Sequence, residues 1–156
     1  MKKDTSLILR LELIWWVITA ILLVALIYPI YSNSQNFPFF TANTVFILVF
    51  ITLTRHIFLL KHTLLRHLQW VKVALLVICI PLFIYIIREL HTFETFADEI
   101  GIQSLFVQLP EKSQSRMVEY TKAEFLFFGI GSLISVVIFP FRMLISFWRT
   151  HNLGTT

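Results

Sequence analysis

From Leu13 to Thr54 the chain carries no Lys, Arg, Asp or Glu. A helix crosses a hydrocarbon core of about 30 Å with roughly 20 predominantly apolar residues. The charge-free stretch is long enough for two such crossings: Leu13–Tyr31, then an apolar part of Ser32–Thr54 that begins near Phe37. Val73–Ile87 is a third uncharged run and Phe125–Phe141 a fourth. Composition excludes a water-soluble reading. Of the 156 residues 57% are apolar and 14% charged, against about 25% charged in a typical soluble domain. This chain has too few polar groups to cover a surface in water. The expectation is an all-α polytopic membrane protein, a single domain over 1–156, with helices at about 12–31, 38–60, 70–88 and 122–148 and an outer connection at about 89–121.

Run three is the shortest. Its 15 uncharged residues rise only about 22 Å as a helix. Lys72 and Arg88 at its ends then have to extend to the headgroups, with Trp70 as an interfacial anchor. A re-entrant or buried segment is the competing reading. Transmembrane strands are excluded because the runs do not alternate polar and apolar. Lys2, Lys3 and the first run resemble a secretion signal, but the apolar core is too long, carries Trp15 and Trp16, and ends YPIYSNSQ rather than at a small-residue cleavage site. It reads as a retained helix.

Charge sets the expected orientation. One side collects Lys2, Lys3, Arg10, Arg55, Lys61, Arg66, Lys72, Arg142 and Arg149 with Asp4 and Glu12: nine bases against two acids, or +7. The other collects Arg88, Lys112, Arg116 and Lys122 with seven acids, or −3, and the two sum to the chain's +4. Basic residues stay cytoplasmic in multi-pass proteins. Both termini are therefore expected in the cytoplasm, most simply of a bacterium with the chain in its inner membrane.

On that orientation RHIFLLKHTLLRHLQWVK, residues 55–72, is a cytoplasmic connection. Its His56, His62 and His67 are six and five residues apart, whereas ligands sharing a metal on one helix sit three or four apart. His56 and His67 share a face but lie about 16 Å apart along the axis. No metal or other cofactor is expected. Arg55, His62 and Arg66 share a face opposite Leu64, Leu65 and Leu68. That pattern predicts an amphipathic stripe whose Arg55, Lys61, His62, Arg66 and Lys72 contact anionic lipid headgroups, at about 1 kcal/mol per basic residue. The net charge is a topology signal, and no nucleic-acid partner is expected.

In the outer connection, Leu90, Phe93, Phe96, Ala97 and Ile100 fall on one helical face and His91, Glu94, Asp98 and Glu99 on the other. This predicts a short amphipathic helix, ended by Gly101, with Pro110 marking a turn and helix resuming near Ser113. His91, Glu94 and Asp98 have the spacing for a divalent cation or acid–base work, but a solvated acidic face explains them as well.

Glu12, Arg55 and Arg142 fall at one level, at the inner ends of helices one, two and four. Ionisable groups at such depth are paired or functional. The plain expectation is a Glu12–Arg55 or Glu12–Arg142 ion pair; the sharper one makes Glu12 a coupling carboxylate in a proton-driven exporter. Pro81 and Pro140 lie inside helices three and four, where each removes a backbone hydrogen bond. Gly129, Gly131, Ser132 and Ser135 give helix four a small-residue face, and Gly131 and Ser135 have the spacing of close helix packing. The contact lies either within one chain or between two.

The chain has no Walker loop, nucleophile elbow, HExxH or CxxC, no visible internal repeat, and in Cys79 a single cysteine. The expected function is therefore a non-catalytic interaction or accessory subunit in a membrane assembly, with a membrane-protein partner or a second copy of itself. The alternative is a small transporter or channel, and a weaker one a membrane-bound enzyme using the outer loop.

Overall fold

The computed structural model describes residues 2–34, 36–59 and 69–153. Four helices follow in chain order: α1 (Lys2–Asn33), α2 (Phe40–Leu59), α3 (Gln69–Glu99) and α4 (Glu111–Leu153), with a 3-10 helix at Ile102–Phe106 before α4. All four contain spans long and apolar enough to cross a membrane: Leu9–Asn33, Phe40–Leu59, Trp70–Glu99 and Glu111–Ser146. By length and composition this is a multi-pass membrane protein.

Run three is one continuous helix of 31 residues. The separate amphipathic helix expected after it is instead the last part of α3, and Ile100 lies exposed beyond its end. The helix carries on past Arg88 because Phe93 is buried, and Phe96 and Ala97 pack on the core. It stops at Gly101, whose φ of 84° with ψ of 132° is a backbone conformation that suits glycine and cannot continue the helix. There both Ile100 and Gly101 donate to the Phe96 carbonyl at 3.1 Å. Pro110 then starts α4, its carbonyl accepting from Ser113 and Gln114. The connection shrinks to about residues 100–110.

The helices run up, down, up, down. Two ends can thus be distinguished: a connection end, where α1 meets α2 and α3 meets α4, and a termini end. α4 packs on the other three helices. The core between α2, α3 and α4 is largely phenylalanine. At the connection end Phe39 meets Phe93, Phe96 and Phe125 edge-on, with centroids 5.3, 5.3 and 5.7 Å away. Phe93 stacks on Phe125 at 4.0 Å, and Phe46 lies 5.0 Å from Phe125. Further along, Phe50 meets Phe127 and Phe128. Such pairs contribute about 0.5–1.5 kcal/mol each beyond the area they bury.

The outside is as apolar as the inside. Val17, Ile21, Val24 and Tyr28 form an exposed stripe along α1, and Val73, Val77, Ile80 and Ile84 another along α3. The helical period here sorts size and shape, not polarity.

Candidate functional site

Polar side chains enter this apolar bundle at two levels. At the termini end, Glu12 on α1 meets Arg55 on α2, Oε2 to Nη2 at 2.6 Å, with both side chains largely buried. The guanidinium also lies 5.5 Å from the centre of the Trp15 ring, a cation–π position. Glu12 and Trp15 are three apart on one helix, so a single face of α1 presents both to Arg55. Arg142 takes no part in this pair. Its Nε donates to the Ile57 carbonyl at 3.0 Å, tying α4 to the end of the described part of α2. His56 Nδ1 donates to Thr52 O at 2.6 Å, so that nitrogen carries the proton.

Lys72 differs from expectation. Its side chain is buried and Nζ donates to Ser146 Oγ at 3.1 Å. The residue faces α4, so it does not extend outward to headgroups. Arg55 is likewise turned inward, onto Glu12. Lys61, His62 and Arg66, the rest of the expected lipid-contact stripe, lie outside the described residues.

The small face of α4 lies on α2. A Cβ placed on Gly131 would sit 2.8 Å from Phe50 Cδ2 and Cε2, and one on Gly129 would sit 2.5 Å from Leu90 Cδ2 and 3.0 Å from Phe46 Cε2. Ser135 Oγ donates to the Gly131 carbonyl at 2.8 Å. The Thr54 hydroxyl, 3.2 Å from Ser135 Oγ, is then left to donate to it. Gly131 and Ser135 thus meet α2 of their own chain.

The second level is at the connection end, and the sequence reading did not find it. Asn43 Nδ2 donates to Glu124 Oε2 at 2.8 Å, joining the first turn of α2 to α4. Asn43, Thr121 and Glu124 are 1%, 0% and 6% exposed. Thr121 and Glu124 lie one turn apart on the same face of α4. Tyr120 beside them donates its hydroxyl to the Leu26 carbonyl at 2.8 Å, tying α1 to α4. The available signal was periodicity: Thr121, Glu124, Phe128, Ser132 and Ser135 form one stripe at spacings of three and four, and all are buried.

Asn43 and Arg55 are twelve residues apart on α2, so the two polar levels are separated by about 18 Å along the axis. Between them lie Phe46, Phe50, Phe125 and Phe128. Two grooves, of about 450 and 420 Å³, open at the connection end; both are lined by Ser34 and Asn36, with Tyr31 and Phe37 in one and Ser104 and Gln108 in the other. His91, Glu94 and Asp98 are all exposed. No group of three His, Cys, Asp or Glu able to hold a metal occurs among the described residues. Comparison with protein-family models, curated proteins and solved structures finds no match.

Proposed function

We propose that this chain is a four-span protein of a bacterial cytoplasmic membrane, with both termini in the cytoplasm, acting as a non-catalytic interaction or accessory subunit. The observation that carries the reading is the contrast between a filled interior and the bare apolar faces of α1 and α3. Aromatic rings fill the space between α2, α3 and α4. α1 packs Leu23, Leu26 and Ile27 on the core and is tied by Glu12 and by the Tyr120 hydroxyl, yet it leaves Val17, Ile21, Val24 and Tyr28 outward, as α3 leaves Val73, Val77, Ile80 and Ile84. Apolar stripes of this extent are unstable in water and mark membrane or protein contact. Within a bilayer, one such face is free to take a partner helix while the others meet lipid. The termini end, with its surplus of basic residues, lies against anionic headgroups in this reading.

Photo-crosslinking in native membranes tests it. A crosslinker at Val17 or Ile21, on the bare face, is expected to give one discrete protein adduct, whereas a crosslinker at the buried Ile27 gives none. Lipid adducts alone from the outward positions refute the accessory role.

A small transporter is the second reading, favoured by the two buried polar levels. The phenylalanines across the 18 Å or so between them separate those levels, so this reading needs a second conformation that parts α2 from α4. Proteoliposomes discriminate: ion-driven uptake that Glu124→Gln abolishes favours the transporter. The exposed His91, Glu94 and Asp98 give the enzyme reading no gathered site.

A further inference from the structure

Buried oxygens at the connection end have hydrogen-bonding capacity that no protein group uses. Glu124 Oε2 accepts from Asn43, but Glu124 Oε1, Asn43 Oδ1 and Thr121 Oγ1 have no hydrogen-bond partner, although all three are buried. In a protein interior nearly every buried polar atom is satisfied, and an orphaned one costs about 1–3 kcal/mol. These three oxygens belong to Asn43 and Glu124, which touch across α2 and α4, and to Thr121, one turn from Glu124, and they are completed by water, by a proton on Glu124 or by a cation. Rotating the Asn43 amide does not help, since it sets Oδ1 against Glu124 Oε2, oxygen to oxygen.

Charge narrows the choice. Among the described residues Arg55 pairs with Glu12 and Arg88 with Glu89, and no described base pairs with Glu124. Lys122 is exposed and two residues away, off that face of α4. A water molecule satisfies the oxygens only if Glu124 also takes up a proton, because an ionised carboxylate left uncompensated in an apolar interior is costly; a bound cation keeps the carboxylate ionised. One carboxylate and two neutral oxygens match a single positive charge. A divalent ion would be left with an uncompensated positive charge against one carboxylate, and the thiols and imidazoles that bind transition metals are absent here.

We propose that Asn43, Thr121 and Glu124 bind a sodium ion, which links the start of α2 to α4. The site does not depend on whether the protein is an accessory subunit or a transporter. A resident structural ion suits the first, and a transported or coupling ion the second.

The test is thermal unfolding of the full-length protein in detergent, followed by tryptophan fluorescence at fixed pH and fixed ionic strength, with choline replaced stepwise by sodium or potassium. A ligand that binds only the folded state raises the folded-to-unfolded ratio about 100-fold when present at 100 times its Kd. A saturable rise in Tm with sodium, weaker with potassium, is expected, and both Glu124→Gln and Thr121→Val should flatten it. Equal responses to sodium, potassium and choline overturn the proposal, as does a parent-like sodium response in both variants. A Tm that follows pH but not sodium assigns the site to a proton and also overturns it. If a variant does not fold, equilibrium binding of radioactive sodium to the parent decides, and absence of saturable binding overturns the site.

Discussion

Replacing Gly131 by Leu probes the tightest approach of α4 to α2. Carbon atoms rest at about 3.5–4.0 Å. A Cβ at 2.8 Å from two atoms of the Phe50 ring therefore has to open the contact by about 0.7–1.2 Å. Phe50 cannot simply swing away, because Phe127 and Phe128 pack on its ring with centroids 5.7 and 5.6 Å distant. Overpacking of this kind costs about 1–3 kcal/mol, and Leu brings three further carbons, which puts the change near the upper end. Leu also gains about 0.8 kcal/mol of helix propensity over Gly. The strain wins, leaving a net loss of about 1–2 kcal/mol. At roughly 2–4 °C per kcal/mol for a chain of this size, the melting curve in detergent should fall by several degrees. Size-exclusion elution should not change, because Phe50 belongs to the same chain. Val137→Leu, on the exposed side of α4, is the control and should melt like the parent. Adding Phe50→Ala to Gly131→Leu should make the double variant less damaged than the two single losses added together. Parent-like melting of Gly131→Leu, or strict additivity with Phe50→Ala, refutes the packing. Loss of a larger species would place the contact between chains instead.

Other expectations follow from the polar ties. Glu12→Gln removes the charge but keeps the shape, and it should lower stability by about 1–3 kcal/mol, since Arg55 then loses a charge-assisted bond. Arg55→Leu combined with Glu12→Leu should recover part of that loss, because replacing both members of a buried pair is far milder than removing one; a double variant worse than the single one contradicts the pairing. The buried Lys72 amine should resist acylation in detergent while the exposed Lys112 and Lys122 react, and equal labelling by mass spectrometry would show that Lys72 faces outward after all.

The number of helices was legible because a bilayer imposes a coarse rule: charge-free runs of about 20 residues span it. Their ends were less legible, since hydropathy marks where a helix leaves an apolar solvent rather than where its hydrogen bonds stop. α3 therefore outruns Arg88 by eleven residues, to Glu99, before Gly101 ends it. The Glu12–Arg55 pairing could be named as one of two options because both residues fall at one level, but only the packing of α1 on α2 selects Arg55 over Arg142. Glu124 was only one of the seven acids counted on the outer side and Lys72 was expected at the headgroups, because a charge at the edge of an apolar run reads as exposed. Their partners, Asn43 and Ser146, are 81 and 74 residues away in sequence. A neutral polar residue in a distant helix gives no sign in the sequence that it faces a particular charge.

The central claim is a four-crossing bundle with its termini and its basic end in the cytoplasm. It rests on nine basic residues against four and on four helices long enough to span. Paired topology reporters test it most directly: one fused after Thr156 and one inserted near Gln103, each active on one side of the membrane only. The first should give a cytoplasmic signal and the second an exterior one. The reverse pair contradicts the orientation, and both signals on the same side contradict the four crossings.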